Sequence, residues 1–177
     1  MKILEVQDLR VGFPVVGGVF ARKIAEVRAV DGVSFTLEKG ETLGVVGESG
    51  CGKSTVGRAI VNILRAMVYG VEISGSVFYY PANSSDGSPP EAPARGALAE
   101  KVDLAKLSRA GMRPYRADIQ MIFQDPYSSL NPRMTVAQIV EEPMTIHMRL
   151  ATAERKDRVA WLLAKVGFTK EQVNRYP

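Results

Sequence analysis

An α/β fold with a mixed sheet is what three features of this 177-residue sequence predict. Two segments near the start alternate apolar and polar residues with the period of strands. A short continuous apolar run, "TLGVV" (42–46), then leads through a glycine-rich turn into an apolar stripe of helical period. After residue 133 the pattern is helical only. Period 2 marks half-buried strands, period 3.6 marks helices packed on them, and an uninterrupted apolar run is what a strand covered on both faces needs.

The elements follow in order. Ile3, Val6, Leu9, Val11 and Phe13 alternate imperfectly, which predicts a strand with a bend. Residues 14–27, with Gly17-Gly18, predict a hairpin excursion. Val33, Phe35 and Leu37 lie on one face of a second strand, "EKGE" makes a turn, and "TLGVV" reads as a buried strand. Val56, Ala59, Ile60, Ile63, Leu64 and Met67 fall at i, i+3, i+4, i+7, i+8 and i+11, the stripe of one helix. "GSVFYY" (75–80) predicts another strand. Four of the ten prolines lie between 81 and 93 among Ser, Gly and Ala, so residues 81–101 read as an exposed insertion. A short helix over 104–115 and a strand in "DIQMIFQD" come next. Thr135 with Gln138, and Thr169 with Gln172, have the spacing of capping boxes. Val159, Leu162, Leu163 and Val166 form a last stripe, which Gly167 is placed to end. The domain division expected is 1–133 and 134–177.

Composition narrows the function classes. With 46% hydrophobic and 24% charged residues the chain is an ordinary globular one, and its +4 net charge is spread without any run of five like charges. A single cysteine, Cys51, excludes a disulfide framework or a cysteine metal cluster. "MKILEVQDLR" turns charged too early for a leader, and no apolar run approaches the ~20 residues that span a bilayer.

Chemistry concentrates in "VVGESGCGKST" (45–55), where Gly47, Gly52, Lys53 and Ser54 fit G-x-x-x-x-G-K-[ST]. Glycines let a loop curl so that successive N–H groups, here of Gly47, Glu48, Ser49, Gly50, Cys51 and Gly52, point at one anion. The helix that follows adds its positive N-terminus, at Lys53, Ser54 and Thr55. Lys53 is the candidate for the β- and γ-phosphates of a nucleotide, and the Ser54 hydroxyl for Mg²⁺. Gln124 and Asp125 end the expected strand of "MIFQD". Either Asp125 binds magnesium, or the Gln124 amide ligates Mg²⁺ and holds a water.

"AVDGVSFTLEKGETLGVVGESGCGKST" together with "IQMIFQDPYSSLNPRMTV" resembles the ATP-binding subunits of ABC transporters, and among them the oligopeptide/dipeptide importer branch, which includes nickel and glutathione importers. The resemblance implies a P-loop ATPase of ABC type, with ATP and Mg²⁺ as ligands. It makes Gln124 the Q-loop glutamine, catalytic together with Lys53, and the metal ligand together with Ser54. An aromatic of the first strand stacks on adenine in that family: Phe13, or Phe20 instead, with a core-facing phenylalanine as the competing reading. Residues 126–150 would meet membrane-spanning permease subunits, a second ATPase subunit would complete the site, and a solute-binding protein would act indirectly. The implied location is peripheral, on the cytoplasmic face of the membrane.

The family's signature loop, Asp-Glu strand end and switch histidine have no counterpart here. "LSRAG" (107–111) lacks paired glycines, "IVEEP" (139–143) lies in a helical pattern, and His147, the sole histidine, reads as a surface helix position. The chain is therefore expected to be the N-terminal part of a longer ATPase, able to hold nucleotide but not to cut it. Two other readings stand beside this one. A small kinase or GTPase-like domain would use Asp125. An ABC-type ATPase acting on nucleic acid is disfavoured, because the six Lys/Arg of 151–177 are not interleaved with aromatics.

Overall fold

The computed structural model describes residues 1–18, 22–81, 101–125, 129–148, 150–169 and 171–177. They gather into two compact units, one within Met1–Ser85 and Ala97–Met121, the other within Ile122–Pro177.

In the first unit, alternation does what it predicts. β1 (Lys2–Gly17) and β2 (Arg22–Glu38) form an antiparallel hairpin whose ladder runs from Lys2 opposite Glu38 to Gly17 opposite Arg22. β3 (Glu72–Tyr79) pairs with the other edge of β1, and β4 (Val102–Asp103) adds to β3, giving the order β2-β1-β3-β4. The predicted bend is a bulge at Asp8, whose φ of 45° lies in the left-handed region. Its N–H donates to the Ser34 hydroxyl (2.8 Å), outside the ladder. Gly75 in β3 answers the bulge: at φ 87°, a Cβ there would stand 2.3 Å from the Asp8 carbonyl oxygen. The hairpin excursion is also present, since Pro14–Gly17 and 22–26 continue the β1–β2 ladder past the last β1–β3 pair, Gly12 with Glu72.

One apolar core holds this unit. Val6, Leu9 and Val11 of β1, Val30 of β2 and Val77 of β3 meet Val56 and Ala59 of α1 (Lys53–Ile60), Leu64 of α2 (Leu64–Met67), and Leu104 and Met112. The single helix expected over 56–67 is thus two. Asn62 takes a left-handed φ of 50°, and its side-chain amide donates to the carbonyls of Leu104 (2.7 Å) and Leu107 (2.9 Å), so tertiary hydrogen bonds override the helical period. The helix expected over 104–115 is two 3₁₀ turns, Leu104–Lys106 and Arg113–Tyr115. Asp103 caps the first through the Ala105 N–H, and Pro114, lacking an N–H, cannot continue a ladder into the second.

Two expected strands do not form. "TLGVV" and residues 119–123 have no strand structure, and Val46 and Ile122 are 94% and 92% exposed. Every strand pair among the described residues is antiparallel. A strand meant to be covered on both faces needs parallel neighbours, and none is offered here. Residues 82–100 of the expected insertion lie outside the described residues.

The second unit is built on α3 (Val136–His147) and α4 (Thr152–Lys165) around Met144, Val159 and Leu163. Thr135 and Gln138 close the expected capping box, and the carbonyls of Arg175 and Val173 accept from the N–H groups of Val136 and Ala137. α4 ends at Gly167 as expected, with the Phe168 N–H donating to the Leu163 carbonyl. Thr169 and Gln172 exchange a bond as well, Thr169 N–H to the Gln172 side chain, but turns rather than a helix follow.

Candidate functional site: the glycine loop and α1

The loop is anchored from both ends. Behind it, β2 carries Ala29, whose carbonyl oxygen would stand 2.2 Å from a Cβ at Gly52. Gly52 is also the residue before α1, at φ 97°, so any side chain there is excluded twice, by space and by backbone conformation. Ahead of it, Val56 and Ala59 fix α1 in the core. The loop itself, from Gly47 to Cys51, is exposed.

Chemically, the start of α1 is a bare positive end. No side chain caps it, and its first turn holds no acidic residue. The first N–H groups of a helix lack intrahelical partners, so those of Lys53, Ser54 and Thr55 are directed at whatever anion the loop surrounds. Lys53 folds its ammonium back across the loop, donating to the carbonyls of Gly47 (2.9 Å) and Glu48 (2.6 Å), with the Cys51 sulfur at 3.6 Å. The Cys51 N–H returns to the Glu48 carbonyl (3.3 Å), which tightens the same curl. The Ser54 hydroxyl is exposed in the first turn, beside Lys53.

The other expected residues are placed as follows. Phe13 is half-buried in β1 opposite Val27 and packs against the core, the competing reading given for it; Phe20 lies outside the described residues. Gln124 and Asp125 are exposed, in the second unit, where the Asp125 carbonyl accepts from the Ser129 hydroxyl (3.2 Å). His147 is the last residue of α3. Among the described residues no three His, Cys, Asp or Glu side chains group to hold a metal, and no helix is long and apolar enough to cross a membrane. Sequence reasoning missed the far end of α1, where Arg116 donates to the carbonyls of Val61 (2.6 Å) and Asn62 (3.2 Å). No motif announces that contact.

The chain is similar to known proteins over nearly its whole length. Residues 30–176 match the ABC transporter family. The chain is 41% identical over 177 residues to the oligopeptide transport ATP-binding protein AppF of Bacillus subtilis, covering 99% of this chain and 46% of that protein. It is 38% identical over 175 residues to the glutathione import ATP-binding protein GsiA of Pectobacterium atrosepticum, covering 99% of this chain and 24% of that one. The chain therefore spans about half, or less, of the curated relatives it matches. A solved dimeric bacterial ABC transporter cassette shares the fold, with a TM-score of 0.65 at 20% identity, over 99% of this chain and 62% of that one. The family match takes in the glycine loop, α1 and the stretch through Gln124, and by it the chain belongs to the ABC transporter family.

Proposed function

We propose that this chain is the nucleotide-holding part of an ATPase subunit that powers uptake of peptides or a similar small solute. The single observation that carries the reading is the Lys53 ammonium drawn over a loop whose other wall is the uncapped start of α1. Lysine has three donors, and here they rest on two loop carbonyls and a sulfur; phosphate oxygens are stronger acceptors for the same cation. The N–H groups of residues 47–55 take the remaining phosphate oxygens. Mg²⁺ suits the donors available, since it takes few protein oxygens and completes its shell with water and phosphate; the Ser54 hydroxyl and the Gln124 amide oxygen would hold it. Bound there, the ion neutralises charge on the phosphates.

Holding is not cutting. The Gln124 amide cannot accept a proton at neutral pH, so this set lacks a group to activate water. In the whole protein the rest of this subunit would carry the strand-end carboxylate and the switch histidine, and a second ATPase subunit would bring its signature loop to the site. Residues 126–150 would meet the permease subunits at the cytoplasmic face of the membrane, and the solute-binding protein would act through them. Family membership sets aside the small kinase or GTPase-like reading, and the relatives named are transport proteins rather than nucleic-acid enzymes.

The test is titration with a fluorescent ATP analogue and Mg²⁺. Lys53→Ala should weaken binding by about tenfold or more, the size of a lost charge-assisted hydrogen bond. Phosphate release by the 177 residues should stay at background in both proteins. Equal nucleotide affinity in the variant would sink the role of Lys53.

A further inference from the structure

Near the point where the β1–β2 ladder outruns β3, the first unit holds an open cleft of about 560 Å³, a volume that small ligands fill. Its floor is apolar: Val11 and Val30 are buried, and Ile73 lies beside them. Its walls carry both signs of charge, Arg10, Arg28 and Arg65 against Glu26, Asp31 and Glu72.

These charges do not exhaust one another. Arg10 pairs with Asp31. Glu26 accepts from the Lys23 ammonium with Oε2 (2.8 Å), and Glu72 accepts from the same ammonium with Oε1 (2.5 Å). Two carboxylates on one cation leave a negative charge over, and Glu26 Oε1 and Glu72 Oε2 accept no bond from the described residues. Gly12 makes room for this acidic wall, since a Cβ there would stand 2.0 Å from Glu26 Oε1. Arg28 has no hydrogen-bond partner among the described residues and acts on Glu26 through charge alone. Arg65 spends one nitrogen on the Ala105 carbonyl, at 3.5 Å, too long for a strong bond. A guanidinium is a planar fork whose donors match a carboxylate, so both arginines hold donors in reserve.

We propose that this cleft binds a small zwitterion with an apolar body, of the class of an amino acid or a dipeptide. Arg28 and Arg65 take its carboxylate, Glu26 and Glu72 take its ammonium, and Val11, Val30 and Ile73 receive its side chains. A simple anion would meet the excess charge of the acidic wall, and a simple cation that of the two arginines. Only a molecule carrying both groups satisfies both walls. The site is separate from the glycine loop and does not need the nucleotide reading.

The test is equilibrium dialysis of radiolabelled leucyl-leucine against the full-length subunit. Binding should saturate with a Kd of about 0.1–1 mM, as charge-assisted bonds at an open, solvent-screened site allow. N-acetyl-leucyl-leucine, which lacks the ammonium, and leucyl-leucinamide, which lacks the carboxylate, should each bind about tenfold more weakly. Arg28 and Arg65 are exposed, so replacing both by serine leaves the fold intact, and it should weaken leucyl-leucine about tenfold. Glu26→Gln keeps the shape of the wall and should weaken leucyl-leucine about fivefold while leaving N-acetyl-leucyl-leucine unchanged. No saturation up to about 10 mM would overturn the proposal, as would a wild-type Kd in the variants. Equal affinity for leucyl-leucine and its acetylated form would mean a plain anion site and would overturn the zwitterion assignment.

Discussion

β2 and the run "TLGVV" are separated by only three residues, yet they meet opposite fates. In β2, Val33, Phe35 and Leu37 are partly buried while Ser34, Thr36 and Glu38 between them are exposed, and the strand pairs with β1 along its length. In 42–46 the residues are more apolar and are all exposed, without strand structure. Hydrophobicity does not decide between them; supply of partners does. An alternating strand asks for one neighbour and one covered face, and a hairpin provides both from adjacent sequence. A continuous apolar run asks for cover on both faces and parallel neighbours, which arrive only through crossover connections. The first demand is met within this chain, and the second is not met by its described residues.

The comparison breaks most visibly at Leu9. It is wholly buried in β1 and belongs to the apolar core, so Leu9→Ala should cost about 3 kcal/mol of stability. Urea unfolding followed by circular dichroism would check it; a loss under about 1 kcal/mol would mean that the antiparallel unit is loosely packed.

A smaller effect is expected at Asp103, which closes the sheet at its β4 edge. Its carboxylate accepts from the N–H groups of Val77 (3.0 Å) and Ala105 (3.2 Å) and pairs with Lys106 (3.0 Å). Asp103→Ala should cost about 1–3 kcal/mol by leaving those donors bare. Burial alone would raise the Asp103 carboxyl, but the bonds from Val77, Lys106 and Ser76 more than offset it and hold it below the usual range. Glu5 is also held below its usual range, at about 2, by the Tyr80 hydroxyl, with Gln7 and Lys2 adding to it. Both carboxylates therefore favour the folded chain above their unfolded range, near pH 4, and that contribution fades as pH falls from about 4 toward 2. Stability of the first unit should decline over that window, and less so in Asp103→Ala. A decline of equal slope in both proteins would remove Asp103 from the account.

The smallest change in stability belongs to the exposed run. Val46→Ser should alter unfolding by no more than about 0.5 kcal/mol, since the side chain is in solvent. Its effect should appear instead in light scattering. Exposed Leu43, Val45 and Val46 make self-association the expected behaviour of the isolated chain, and a polar substitution should reduce it. A monomer at high concentration in both proteins would contradict this.

How much was legible follows the same division. β1, β2, α3 and α4 could be read because period, capping box and terminating glycine all act within a few residues of one another. The glycine loop could be read because its spacing is set by the anion it encloses. The break at Asn62 could not, because the carbonyls that hold its side chain, Leu104 and Leu107, are more than forty residues away. Gly52 was chosen by its motif; that Ala29 presses against it is visible only in the fold. "TLGVV" and residues 119–123 were correctly seen as apolar, and what they lack is company.

The β1–β2 hairpin also sets a timetable for synthesis. All its pairs, from Gly17 with Arg22 to Lys2 with Glu38, lie within residues 2–38, which are made before β3 at Glu72–Tyr79. Nearby partners close quickly, since little chain entropy is lost in bringing them together. A nascent chain would thus carry a formed ribbon, its Val6, Leu9 and Val11 still open to water, while residues 39–71 emerge. Stalled chains ending near residue 60 should show protected β1 and β2 amides in hydrogen exchange; free exchange there would mean that the ribbon waits for β3. That interval is when such a chain is most exposed to chaperones, and its hazard is fixed by the distance from Glu38 to Glu72 rather than by the finished structure.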